Sequence, residues 1–180
     1  MLSKKSFISM PWKNGKGQTE QIAIGPEGAV FPNDFSWRIS SATVNNDDPF
    51  SNFPGCDRFL VVTEGAGLSL NGKELHPLKV LHFSGEELID AKLLEGPVVD
   101  LGVIFRRNVI SASMKILNLS DVSQLELGYG TYFVFCIRGK LQLDELEIHA
   151  GDSLRIDKTA SLKLDGLNHS VYALIAINQK

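Results

Sequence analysis

Gly67-Leu-Ser-Leu70, Leu75-His-Pro77 and Val80-Leu-His-Phe83 are echoed in the same order by Gly139-Lys-Leu-Gln-Leu143, Ile148-His-Ala150 and Ser153-Leu-Arg-Ile156. Leu70 and Leu143, Leu75 and Ile148, His76 and His149, and Leu81 and Leu154 each stand 73 positions apart. Each copy reads as a short alternating run, a turn and a second run. Unrelated hairpins share alternation, but a single offset held over three segments favours a duplicated β-unit.

The rest of the chain agrees. Long 3.6-residue periodicity is scarce, and short apolar or alternating runs are separated by Gly, Pro, Asn and Asp, the pattern of a sandwich or barrel. The expected strands are Thr19–Ile24, Ser36–Val44, Arg58–Glu64, Gly67–Leu70, Val80–Phe83, Asp90–Leu94, Val99–Arg106, Met114–Leu119, Tyr132–Ile137, Lys140–Leu143, Ser153–Ile156, Ser161–Leu164 and Tyr172–Asn178. One helix is expected over Ser120–Leu127, which opens with Ser-Asp. The 180 residues divide into an N-terminal half, 1–110, and a C-terminal half, 111–180, in one compact all-β unit.

Composition excludes several classes. With 43% hydrophobic and 22% charged residues the chain has enough apolar material for a core, so disorder is not expected. The formal charge of −3 and the scattered Lys and Arg leave no basic stripe for nucleic acid or an anionic membrane. The N-terminus lacks the apolar run of a secretory signal, no segment approaches a membrane span, and a cytoplasmic location is expected. Of the two cysteines, Cys136 reads as core, while Cys56, in Pro54-Gly-Cys-Asp57, is a candidate for exposure; no disulfide framework is expected.

Glu147-Ile-His-Ala-Gly-Asp-Ser-Leu-Arg-Ile156 resembles a turn frequent in cupin barrels, with Gly151 permitting the tight turn and Asp152 holding backbone N–H groups. Metal-binding cupins place two His one residue apart, then a Glu, then a distant His, so that alternate strand positions aim ligands into one cavity. Here the matching window reads Phe50-Ser-Asn-Phe-Pro54, and Arg58 stands in the Glu place, as Tyr132 does in the second half. The four histidines are spread along the chain, with His82 the one candidate for an inward ligand. No metal and no cofactor are expected.

Alternation assigns faces. Arg38 shares a face with Ser36 and Ser40; Asp100 shares one with Gly102, Ile104 and Arg106; Arg58 shares one with Leu60 and Val62. If these faces line one cavity it is net positive, and its natural guest is a small carboxylate held by guanidinium forks. The competing reading makes these arginines exposed or paired with Asp, as Asp100–Arg106 or Asp57–Arg58. Lys13 and Asn14, in Pro11-Trp-Lys-Asn-Gly-Lys-Gly-Gln-Thr19, offer a second anion-binding stretch. No nucleophile–base pair is evident, so no catalytic residue is assigned.

Pro11-Trp-Lys-Asn-Gly-Lys-Gly-Gln-Thr19, Phe35-Ser-Trp-Arg-Ile-Ser-Ser-Ala42, Pro49-Phe-Ser-Asn-Phe-Pro-Gly-Cys-Asp-Arg58, and Gly96-Pro97 with Asp100 and Arg106-Arg107 follow the order seen in the HutD/Ves family. The resemblance covers most of the first two-thirds of the chain, and departs from the family at Lys16 and Gly102, where Gly and Asn are usual. It implies a bicupin fold, that is, a double-stranded β-helix or jelly roll in each half. It also implies frequent homodimers, a bacterial source, and a link to histidine utilisation or stress responses. The positions carried over as the pocket are Lys13, Asn14, Arg38, Ser40, Arg58, Asp100 and Arg106. The resulting expectation is a metal-independent bicupin that binds a small carboxylate such as N-formylglutamate or urocanate. The alternatives are a metal-independent isomerase or hydrolase using Asp100 or His82 as acid–base group, and a protein-interaction module with a filled cavity.

Overall fold

The computed structural model describes residues 1–12, 17–119, 122–143, 145–157 and 161–180. It is all-β, with one short 3₁₀ turn at Lys4–Ser6. Ten strands fall in a unit made of Phe7–Ile110 with Lys180: β1 (Ile8–Pro11), β2 (Gly17–Gly25), β3 (Trp37–Val44), β4 (Asp48–Pro49), β5 (Cys56–Glu64), β6 (Leu68–Leu70), β7 (Lys73–Leu75), β8 (Leu81–Ser84), β9 (Asp90–Leu93) and β10 (Val98–Arg106). The other unit, Ser111–Gln179 with Met1–Ser6, holds β11 (Ile110–Leu119), β12 (Val122–Glu126), β13 (Thr131–Leu143), β14 (Leu146–His149), β15 (Ser153–Asp157) and β16 (Ser161–Gln179). No helix among the described residues is long and apolar enough to cross a membrane.

In the first unit, sheet β1-β2-β3-β10-β5-β8 faces sheet β4-β9-β6-β7. Val44, Leu60, Val62 and Phe83 from the larger sheet pack in one cluster with Leu68, Leu70, Leu75 and Ala91 from the smaller. These residues recur at even spacing, so the strand period of two puts them on one face. In the second unit β11-β16-β13-β14 form the sheet, with β12 on β16 and β15 on β13. Its core takes Val134, Cys136, Leu141, Ile148, Leu154 and Tyr172.

The duplication is visible in the pairing. Leu68 pairs with Leu75 and Leu70 with Lys73, and 73 positions on, Leu141 pairs with Ile148 and Leu143 with Leu146. The following turn repeats as well: Lys79 N–H donates to the His76 carbonyl at 3.3 Å, and Asp152 N–H to the His149 carbonyl at 2.9 Å. Leu78 and Gly151 occupy the same turn position with φ of 64° and 90°. Asp152 does accept a backbone N–H, but that of the distant Lys4, at 2.8 Å.

Four expectations are corrected. Residues 122–126 form β12, paired with β16, where a helix was expected over Ser120–Leu127. Leu125 and Leu127 both pack on the core, while Gln124 and Glu126 hydrogen-bond to each other at 3.0 Å; that is a period of two. The separate runs at 132–137 and 140–143 are a single strand, because bulges around Arg138 and Gly139, at φ 79°, bend the chain without ending its pairing. The runs at 161–164 and 172–178 likewise merge in β16. Cys56 is buried, packed with Phe35 and Ile104.

A Cβ at Gly139 would lie 2.7 Å from Ser170 Oγ and 3.0 Å from its Cα, whereas one at Gly28, with a similar φ of 82°, would meet nothing within 4 Å. Gly28→Ala is therefore expected to cost about 1 kcal/mol from the left-handed backbone alone. Gly139→Ala should cost roughly 2–4 kcal/mol, because crowding adds to it. Urea-unfolding midpoints of both variants check the difference; equal losses would show that Ser170 moves aside freely.

Candidate functional site

β3, β10 and β5 lie side by side, and their register builds the site. Arg38 is opposite Ile104 and Ser40 opposite Gly102, with Ala42 opposite Asp100. On the other side of β10, Arg58 is opposite Ile104, Leu60 opposite Gly102 and Val62 opposite Asp100. One rung thus carries Arg38 and Arg58 on either side of Ile104. The next carries Ser40, Gly102 and Leu60, and the third Asp100. These residues, Val62 excepted, line a cavity of about 620 Å³ together with Trp12, Phe31, Phe50 and Phe53.

Each charged group is held differently. Arg38 is 5% exposed; its Nε donates to Gln21 Oε1 at 3.0 Å, and its guanidinium lies 4.2 Å from the Phe31 ring centroid. Its Nη2 is buried and has no partner among the described residues. Arg58 donates Nη1 to the Ser51 carbonyl at 3.2 Å and sits among the rings of Phe50, Phe53 and Phe83 at 5.1, 5.5 and 5.0 Å. Burial lowers both guanidinium pKa values to about 10, still far above neutrality. Burial pushes the Asp100 carboxyl up to about 7, with the charge of Arg58 and the N–H of Ala42 pulling the other way. Two guanidinium charges therefore face one carboxyl that is only partly ionised at pH 7.

That donor set does not fit a metal ion. Phe50 and Phe53 present rings to a guanidinium where a metal-binding barrel would present imidazoles, and among the described residues no three His, Cys, Asp or Glu side chains converge. His82 is not an inward ligand. It pairs with Phe59 while Phe83 pairs with Arg58, so its ring lies on the outer face, 54% exposed and 3.8 Å from Asp57, stacked on Phe59 at 4.6 Å.

Arg38, Ser40, Arg58 and Asp100 come together in the cavity. Arg106 does not join them. Its parity is right, but it ends β10, where its Nε and Nη2 donate to the carbonyls of Phe35 and Asn33 at 2.7 and 3.1 Å. Lys13 and Asn14 lie outside the described residues. The competing reading's Asp100–Arg106 and Asp57–Arg58 pairs are absent among the described contacts; Asp57 instead accepts Arg107 Nε at 2.9 Å. Arg107 also holds Glu86 and the Cys56 carbonyl, a clasp at the start of β5 that holds Glu86 well below the usual carboxylate range. Alternation missed Trp12, Phe31 and Gln21. Trp12 is fixed in the cavity wall by its Nε1, which donates to Thr19 Oγ1 at 2.8 Å. No strand parity reaches these loop and neighbouring-strand positions.

The HutD family profile matches residues 4–173. The chain belongs to the HutD family. Protein Ves of Escherichia fergusonii is 33% identical over 140 residues, 74% of this chain and 70% of Ves. An uncharacterised 21.2 kDa protein from the hutC 3′ region of Pseudomonas putida is 34% identical over 110 residues, covering 58% of this chain and 57% of that one. HutD from Pseudomonas fluorescens superposes with a TM-score of 0.84 at 26% identity, over 99% of this chain and 97% of that one. A cupin 2 barrel protein from Leptotrichia buccalis shares the fold alone, with a TM-score of 0.55 at 12% identity, over 95% and 92% of the two chains. This HutD-family chain therefore has the cupin fold.

Asp100 makes stability depend on pH in a definite direction. Its pKa is near 3.9 when unfolded and about 7 when folded. Below about pH 4 both states hold the proton and the contribution is fully present. Between about pH 4 and 7 the unfolded chain releases a proton that the folded chain keeps, and the contribution is lost at up to about 1.4 kcal/mol per pH unit. Other carboxylates have their own slopes, so the comparison is between proteins. Asp100→Asn is expected to lose less stability than the native protein between pH 5 and 7.5 in urea-unfolding titrations. Parallel slopes would mean that the folded carboxyl is already ionised at pH 5.

Proposed function

We propose that this protein binds a small carboxylate-bearing metabolite in the cavity of its Phe7–Ile110 unit, without metal and without turnover, in the context of histidine utilisation. The observation that carries the reading is the buried Arg38, whose Nη2 has no partner among the described residues. A buried guanidinium N–H without an acceptor is costly, and a carboxylate supplies that acceptor together with the missing charge. Arg58 adds a second positive group on the same rung. The aromatic lining suits a compact organic anion better than an inorganic one. The genomic name of the Pseudomonas putida relative supports histidine utilisation, and N-formylglutamate and urocanate are the first compounds to try.

Thermal unfolding against N-formylglutamate, urocanate, glutamate, formate and several sugar acids tests the proposal. A ligand at about a hundred times its Kd stabilises the fold by ~2.7 kcal/mol, which raises Tm by roughly 5–10 °C for a chain of this size. Arg38→Ala, checked for folding by its own unfolding curve, should weaken that ligand by about 10- to 100-fold. Arg38→Lys, which keeps the charge and loses the fork, should weaken it by roughly tenfold. No shift with any compound at millimolar concentration would sink the reading. One observation favours a second reading. Burial that holds Asp100 near neutrality also suits an acid–base group. Consumption of the bound compound, lost in Asp100→Asn, would move the protein from binding to catalysis.

A further inference from the structure

Gly102 sits in the middle of β10, between Asp100 and Ile104. Glycine inside a strand weakens it and usually marks a bulge, a special backbone angle or a close approach of neighbours. None of these applies. Its pairing with Ser40 and Leu60 is regular, and it is not among the residues of positive φ. A Cβ built there would meet only the carbonyl oxygens of Phe59 and Ser40, at 3.8 and 3.9 Å, which is ordinary contact. Elsewhere in the same unit the contrast is plain: at Gly85 a Cβ would fall 2.4 Å from the Phe53 carbonyl, and at Gly65 2.6 Å from that of Pro97. Gly102 is the centre of the cavity floor, and what its missing side chain provides is space.

That space separates two unlike ends. On one side stand Arg38 and Arg58, with the free Nη2 of Arg38. On the other stands Asp100, 7% exposed, whose carboxyl oxygens can accept further hydrogen bonds. Ile104 and Asp100 are four residues apart, roughly 13 Å along the strand, and the Arg and Asp side chains close part of that span. We propose that Gly102 is a specificity-determining residue: it keeps the floor open so that an anion held by the guanidinium pair extends across it and gives an N–H or O–H to Asp100. This rests on the carboxylate reading above and narrows it. The ligand is a carboxylate with a hydrogen-bond donor at its far end, and a simple fatty acid of the same length is the wrong guest.

Ligand-observed NMR titration of the full chain with acetate, butyrate and 4-hydroxybutyrate tests this. The native protein should bind 4-hydroxybutyrate about tenfold more tightly than butyrate, the worth of one good hydrogen bond. Gly102→Val should weaken 4-hydroxybutyrate by about tenfold or more while changing acetate by less than about twofold, because only the longer acid crosses the floor. Gly102→Ala, whose Cβ has room, keeps the experiment decisive if the valine variant fails to fold, with a smaller loss of the same selectivity. In Asp100→Ala, the preference for 4-hydroxybutyrate over butyrate should vanish. If acetate binds and is lost in Arg38→Ala, but the Gly102 variants weaken both acids equally or neither, the specificity proposal is overturned and the carboxylate reading stands. If acetate binding is absent, or indifferent to Arg38→Ala, the carboxylate reading itself fails.

Discussion

Two guanidinium groups on the inner face of a β-sandwich whose core is largely apolar are the constraint around which this site is arranged. Desolvating a cation costs several kcal/mol even after relaxation, and the chain meets that cost unevenly. Arg58 has three aromatic faces and one carbonyl. Arg38 has one ring and one amide oxygen, which leaves part of its fork unsatisfied. Quadrupole contacts recover about 1–2 kcal/mol each when desolvated, so the phenylalanines around the two guanidinium groups stabilise charge as well as excluding water. The one carboxyl facing the pair is too far off for a close ion pair and is itself held partly protonated by burial. The cavity is therefore short of negative charge by construction.

The duplicated unit shows that the charge is a local addition to the fold. In the first copy Arg58 pairs with Phe83; in the second, Tyr132 pairs with Ile156 at the corresponding rung. Further along the same strands Leu60 and Val62 give way to Val134 and Cys136, both fully buried. The second copy is an apolar core of the ordinary kind, with Tyr132, Leu154 and Tyr172 filling it. Two copies of one hairpin pattern have thus diverged at the inward positions of a single strand. One became packing and the other a cavity wall, while the turn geometry at Lys79 and Asp152 stayed the same.

Side-chain parity made much of this legible from sequence. That Arg38 shares a face with Ser40, Arg58 with Leu60, and Asp100 with Gly102 and Ile104 follows from alternation, because parity is local to a strand; that these faces turn inward came from the family resemblance. What parity does not carry is where a cavity ends. Arg106 has the parity of Asp100 and yet lies past the last cavity rung, turned to the carbonyls of the Asn33–Phe35 loop. His82 needed the register of β8 against β5 before its face was known, and register is a long-range property. The strand at 122–126 looked helical because Ser-Asp is a capping signal; pairing with β16 outweighed it. Gly139 read as a break because glycine normally ends a strand, whereas here it marks a bend within one. Cys56 looked exposed from its Pro-Gly neighbours, but the Arg107 clasp draws the start of β5 under Phe35 and Ile104.

The floor of the cavity is polarised along the strands, and that matters more for recognition than the total charge. An anion alone in a uniformly positive pocket gains attraction without orientation. Here the positive rung and the carboxyl rung stand at opposite ends of one sheet face, so the field runs along β3, β10 and β5, and a guest with unlike ends has one favourable orientation. Reversing it would set a carboxylate against Asp100 and leave the Nη2 of Arg38 without an acceptor, a double penalty in a medium of low dielectric. Buried charges of this kind add little to the stability of a fold and often subtract from it. Their spacing on a rigid, regularly paired sheet is what turns that cost into discrimination, and Ser40 and Gly102, small residues on the rung between, keep the two ends from being bridged by the protein's own side chains.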